Sequence, residues 1–325
     1  MREPLPVPVP LADIEAARRR IAGTAVRTPL LRLHIDAPCT IWLKLENLQP
    51  IGSFKIRGAA NAMALADPDD LARGVWTASA GNMAQGVAWC ARERGIPCTV
   101  VVPDHAPATK VQAVERLGAR VVRTPHEDWW RILVEHGAPG YEGVFIHPVS
   151  ERAVIAGNGT VGLEIVDDLP DVDAVVVPYG GGGLACGIAS ALAAVAPRVR
   201  VFAAEVDTAA PLAAALRAGE PVPFDYQPSF VDGIGGRSVL TEMWPLARRL
   251  LTSSIVVTLD DVIDALRTLL ARGRVLAEGA GAAAVAAARS GRAGSGNVVC
   301  VISGGNINLD TVAGFLTTRP GAAVS

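Results

Sequence analysis

Short apolar runs rich in β-branched residues recur along this chain, and stretches with apolar positions at helical spacing fill the gaps between them. The runs predict strands at 41–45, 75–77, 98–102, 120–123, 174–177, 200–204, 255–258 and 298–302. Several are continuously apolar, the pattern of strands covered on both faces in a parallel sheet. Helices are predicted at 11–22, 83–94, 108–117, 154–167, 184–196, 262–272 and 280–289. The alternation predicts a doubly wound α/β fold. A patch rich in glycine and proline, 137–143, marks where a smaller inserted lobe ends.

Composition narrows the function. Half of the 325 residues are hydrophobic, enough for one large core or two ordinary ones. Lys and Arg number 30 against 32 Asp and Glu, so no net field draws nucleic acid or an anionic membrane surface. The expected partner is a small molecule. Cys39, Cys90, Cys98, Cys186 and Cys300 are odd in number and nowhere spaced as C-x-x-C, which argues for reduced thiols rather than a disulfide framework or a zinc site. No apolar run reaches the ~18 residues of a membrane span, and MREPLPVPVP is not an apolar signal core, so a cytoplasmic location is expected.

The chemistry concentrates in loops that follow strands. KLENLQPIGSFKIRGA sets Lys55 after Phe54 in a short turn between a strand and an alanine-rich helix, a place suited to a Schiff base with a carbonyl cofactor such as pyridoxal 5′-phosphate. The run Gly180, Gly181, Gly182, Gly183 and Leu184 leads into a helix, where bare backbone N–H groups and the positive helix end suit a phosphate. The same residues also read as a tight turn, or as G-x-G-x-x-A with Glu205 about 20 residues on, the fingerprint of a dinucleotide-binding oxidoreductase. SAGNMAQG, from Ser79, offers a hydroxyl, an amide and helix N–H groups to a carboxylate, although an N-cap serine with an Asx turn gives the same residues. SGGNIN, from Ser303, follows the last strand.

In order and spacing these segments resemble the pyridoxal-phosphate enzymes of the tryptophan-synthase β type, fold type II, and among them the threonine and serine dehydratases and serine racemase. GSFKIRG, SAGNMAQG, AGNGTVGLEI, GGGGL, EGAGAAA and SGGN carry the resemblance, which runs from about Thr28 to Asp310. It implies two doubly wound domains, a larger one of 1–66 plus 153–325 and a smaller one of 67–152, in a homodimer. It further implies Lys55 as the Schiff-base lysine, Phe54 and Gly233 against the two ring faces, and Asn82 on the ring 3-oxygen. The glycine run would hold the phosphate, Ser303 would face the pyridine nitrogen, and Ser79, Ala80, Gly81, Asn82 and Met83 would bind the substrate carboxylate. The implied activity is α,β-elimination from L-threonine, L-serine or a related 3-hydroxy amino acid, giving a 2-oxo acid and ammonia. Racemisation, nicotinamide-dependent oxidoreduction and non-catalytic amino-acid sensing are the alternatives.

Several positions depart from the family pattern. Ala80 stands where serine racemase has a second serine, which disfavours racemisation. Met83 replaces a histidine of the dehydratases and reads either as a substrate contact or as packing. Selectivity is expected around Met83, Val149 and Gly235. Some relatives bind a divalent ion at the residue matching Glu205 with an aspartate six positions later; Pro211 stands there, and no metal is expected. Trp129 and Trp130 read as packing or subunit contact, and no histidine is expected to cluster with carboxylates. With little chain after SGGN, feedback control through an appended domain is not expected, and TTRPGAAVS reads as a frayed tail.

Overall fold

The computed structural model describes residues 5 and 7–317, so most of the tail expected to fray lies outside the described residues. The described residues form strands β1 (Leu30–Leu33), β2 (Thr40–Lys44), β3 (Val75–Ala78), β4 (Cys98–Pro103), β5 (Arg120–Thr124), β6 (Val144–Phe145), β7 (Ala174–Pro178), β8 (Arg200–Val206), β9 (Ser253–Val257) and β10 (Asn297–Val301). One sheet runs β1-β2-β10-β7-β8-β9 and the other β5-β4-β3-β6. Every pairing is parallel except β1 with β2, where Leu31 stands opposite Leu43. The antiparallel β1 makes the larger sheet mixed at one side; its four residues, LLRL, are too short a run to show a strand period, and Leu31 and Arg32 are exposed on this edge.

Burial explains the continuous apolar runs. Ala174, Val176, Val298 and Cys300 pack into the core on one face of the larger sheet, while Val175, Val177, Val299 and Val301 pack into the core on the other. Helices cover both faces, which is why neighbouring residues in β7 and β10 are alike rather than alternating. The predicted strands and helices are all present within a few residues. The helix expected at 262–272 begins earlier, at Leu259, because Thr258 and Asp261 form a reciprocal capping box, and it closes in a π-helical turn, Leu269–Gly273. No helix of the described residues is long and apolar enough to cross a membrane.

The helix Lys55–Leu65 is anchored by a buried charge network. Arg57 donates to both oxygens of Glu46 at 2.8 Å and to both oxygens of Glu164 at 2.7 and 2.9 Å. Thr160 Oγ1 and Val26 O take further N–H bonds from it. Lys44 at the end of β2 donates to Glu164 Oε2 at 2.7 Å and to Thr28 O at 2.6 Å. Arg57 is 1% exposed and Glu46 0%. Burial alone would weaken the guanidinium's hold on its proton, but Glu46 and Glu164 more than offset it, and Arg57 in turn keeps the Glu46 carboxyl below its usual range. Removing one partner strands an opposite charge in a dry site. Arg57→Met is expected to lower stability by about 3–5 kcal/mol, read as a shift of the urea midpoint, whereas Arg18→Met, whose partner Asp167 is half exposed, shifts it by under about 1 kcal/mol.

Candidate active site

Strands β7 and β10 end side by side in the larger sheet and β3 ends in the smaller one, and the loops that follow all three open on one cavity of about 300 Å³. Every residue named from the sequence for cofactor or carboxylate binding lines it. Phe54 and Lys55 come from the turn into the helix Lys55–Leu65, and Ser79, Ala80, Gly81, Asn82 and Met83 come from the loop after β3. Gly180, Gly181, Gly182, Gly183 and Leu184 follow β7, Ser303 follows β10, and Gly233 completes the wall.

Lys55 is half-buried on the first turn of its helix. Its Nζ donates to Pro148 O at 2.7 Å and stands 5.3 Å from the centre of the Phe54 ring. Burial pushes the amine down to about 8, and Glu278 opposes that shift. Roughly a tenth of it is therefore uncharged and nucleophilic at pH 7, against well under about a thousandth for an ordinary lysine.

The glycine run reaches the N-terminus of the helix Gly183–Val195, whose first N–H groups have no acceptor within the helix. Gly182 adopts φ +95°, and a Cβ there would meet the Tyr179 ring at 2.9 to 3.1 Å. A Cβ on Gly183 would come within 2.8 Å of Val149 O. Only glycine leaves the backbone bare at this point, as an anion cradle requires. Across the cavity, Asn82 opens the helix Asn82–Arg94 and Ser79 Oγ accepts from Gly81 N at 3.2 Å. An amine, a backbone cradle and polar groups between them fit pyridoxal phosphate: Lys55 would take its aldehyde carbon, the 180–184 loop its phosphate, and Asn82 and Ser303 its ring substituents.

Glu278 also lines the cavity, and sequence reasoning gave it no role although EGAGAAA was recognised as a motif. It precedes the helix Gly279–Arg289, and both its oxygens accept from Asn82 Nδ2, at 3.0 and 3.1 Å. Burial pushes its carboxyl up to about 7 against the opposing Asn82 hydrogen bond. The available signal was a carboxylate opening an otherwise alanine-rich helix.

The remaining positions singled out from the sequence divide between the cavity and its surroundings. Trp129 lines the cavity, while Trp130 is exposed. Met83 touches the cavity but is 1% exposed and packs in a core with Ile51, Ile56 and Val87, which favours the packing reading. Val149 lines the wall; Gly235 does not, and Ile234 does. Lys110 and Asp232 form an ion pair of 2.6 Å on the cavity wall.

One expectation about histidines is corrected. His136, His147 and Glu242 bring ligand-type atoms within 4.8 Å of one another, a cluster hidden by their separation in sequence. Ser150 Oγ occupies its centre, bonding Glu242 at 2.8 Å and lying 3.1 Å from His147 Nδ1, which already accepts from Ser150 N and Val149 N. His147 is buried, and its ring holds the turn that carries Pro148 O. Glu205, at the end of β8, accepts from Leu212 N and Ala213 N at 2.8 Å and from Ser254 Oγ at 2.6 Å, so its carboxylate caps the helix Pro211–Ala218.

Residues 21–304 match the family described as pyridoxal-phosphate dependent enzyme. The chain is 40% identical over 314 residues to the L-threonine ammonia-lyase of Thermotoga maritima, across 94% of this chain and 77% of that protein. It is 35% identical to the catabolic L-threonine dehydratase of Staphylococcus aureus, across 95% and 92%. Among solved structures it resembles maize serine racemase, with TM-score 0.85 and 34% identity over 95% of this chain and 97% of that one. The T.th. threonine deaminase gives TM-score 0.83 and 33% identity over 92% and 98%.

The lowered amine is directly measurable. In the unliganded protein, labelling of Lys55 by a small aldehyde should rise with pH around a midpoint near 8, because the reactive neutral form appears as the pH climbs past that value; a midpoint near the ordinary 10.5 would contradict the burial described here.

Proposed function

The chain belongs to the pyridoxal-phosphate dependent enzyme family, and from that premise we propose that it is an ammonia-lyase converting L-threonine, L-serine or a related 3-hydroxy amino acid to a 2-oxo acid and ammonia. The observation that carries the reading is the convergence, in one cavity, of a buried amine held near 8, a bare backbone cradle at a helix N-terminus and a second helix N-terminus opposite. When bound, pyridoxal phosphate supplies an electron sink that acidifies the α-carbon of an amino acid joined to it.

The residues of the chain do the rest. Lys55, uncharged in part at neutral pH, accepts the α-proton as general base, and Pro148 O gives its amine a fixed direction. The loop Ser79 to Met83, at the positive end of its helix, receives the substrate carboxylate and orients the α-carbon towards Lys55. Ser303 offers the ring nitrogen a neutral hydroxyl rather than a carboxylate, so no proton is held there and electron withdrawal stays moderate. Moderate withdrawal favours rapid loss of a β-hydroxyl. Ala80 has no hydroxyl with which to return a proton to the opposite face, which supports elimination over racemisation.

We extend the reading to the architecture: 67–152 acts as a smaller domain that carries the carboxylate loop against the larger one, 1–66 plus 153–325, and the working unit is a homodimer. Light scattering of the loaded protein tests the dimer, and a monomer at assay concentrations would refute it. For the activity, purified protein supplied with pyridoxal phosphate is offered a panel of 3-hydroxy amino acids in erythro and threo forms. Equimolar 2-oxo acid and ammonia are expected from at least one, with no D-amino acid, and Lys55→Ala is expected to lower turnover by at least about 10³-fold. Inertness toward the whole panel, or accumulation of D-serine from L-serine, would overturn the assignment.

A further inference from the structure

Glu278 is a buried carboxyl that the elimination outlined above leaves without a task. It is 8% exposed and lines the cavity beside Asn82, Gly233 and Ser303. Among the described residues, Asn82 Nδ2 alone donates to its side chain, reaching both oxygens. The space around it is tight: a Cβ on Gly304 would fall 2.6 Å from Glu278 Oε1, and one on Gly233 would fall 3.2 Å from it. The carboxyl therefore has little freedom to turn away from Asn82.

The other end of the same amide is fixed as well. Asn306 Nδ2 donates to Asn82 Oδ1 at 2.8 Å and to Ile51 O at 2.9 Å. Asn82 thus meets an acceptor on its nitrogen side and a donor on its oxygen side. Reversing the amide would set oxygen against carboxylate and N–H against N–H, losing the bonds to Glu278 and Asn306 at once. Phenolate-like ring oxygens need a donor, so the choice of amide end matters.

We propose that Glu278 is a positioning residue: with Asn306 it fixes the Asn82 amide so that an Nδ2–H faces the 3-oxygen of bound pyridoxal phosphate. This rests on the reading of Lys55 and Asn82 as cofactor-binding residues. Its ionised form clamps most firmly, since only the carboxylate accepts on both oxygens. Lys55 across the cavity and Lys110 on its wall favour that form, while burial and Asp232 oppose it and bring the carboxyl to about 7. The clamp therefore tightens as the pH rises through neutrality.

The test compares wild type, Glu278→Gln, Glu278→Asp and Asn306→Ala, each titrated with pyridoxal phosphate and followed by the visible absorbance of the bound cofactor across pH. Wild type should show a spectral step as the pH rises through the ionisation of Glu278, and that step should be absent in Glu278→Gln. The Gln variant turns an N–H towards Asn82 and should bind the cofactor about tenfold more weakly. Glu278→Asp restores the step at reduced affinity, which a merely structural loss would not. If Glu278→Gln does not fold, as judged by circular dichroism, Asn306→Ala carries the test, with weaker binding and an altered spectrum expected. Wild-type affinity and an unchanged spectral step in Glu278→Gln, or in Asn306→Ala where that variant carries the test, overturn the inference. Failure of the underlying reading looks different: wild type itself would then form no borohydride-stable link at Lys55.

Discussion

Arg57 brings a full set of guanidinium donors into a space that water does not reach, and two carboxylates, a hydroxyl and a carbonyl receive them. With Lys44 added, two positive and two negative side chains balance inside the protein, so the cost of taking them out of water is offset only while all four are present. The partners come from the end of β2, the turn after it and the helix Arg152–Asp168. They fix the first turn of the helix Lys55–Leu65 from three directions. Lys55 lies two residues before Arg57, and the geometry of the cavity follows from that fixture.

Against this rigid background the site is tuned by opposed electrostatic effects. Burial lowers the amine of Lys55 and raises the carboxyl of Glu278, so both groups come within reach of neutral pH. Two helix N-termini, at Asn82 and Gly183, supply partial positive charge at separate points of the same cavity. One suits a phosphate and the other a carboxylate. The His147 turn completes the arrangement from behind: its ring accepts two backbone N–H groups and so holds Pro148 O on the lysine and Val149 against the glycine run.

Much of this was legible in the sequence, for identifiable reasons. The β-branched runs of β7 and β10 announce strands buried on both faces, and the loops after strands carry residues whose chemistry is local, such as Lys55 or Gly182. What stayed hidden depends on distance along the chain or on short, weakly patterned elements. β1 shows two outward residues in four, β6 is two residues long, and the alanine-rich helix Pro211–Ala218 lacks a polar face to mark it. Glu278 finds Asn82 across 196 positions, and the cluster of His136, His147 and Glu242 is assembled only by folding. Motif residues also carried a second meaning: Arg57, Thr160 and Glu164 belong to segments recognised for their chemistry but serve to hold Lys55 in place.

The central claim is that the buried amine at position 55 is the covalent anchor of the cofactor. Borohydride reduction of the protein loaded with pyridoxal phosphate, followed by peptide mapping, measures this directly. The account predicts a single pyridoxyl group, on the peptide containing Lys55; a label on Lys44 or Lys110, or none anywhere, would contradict it.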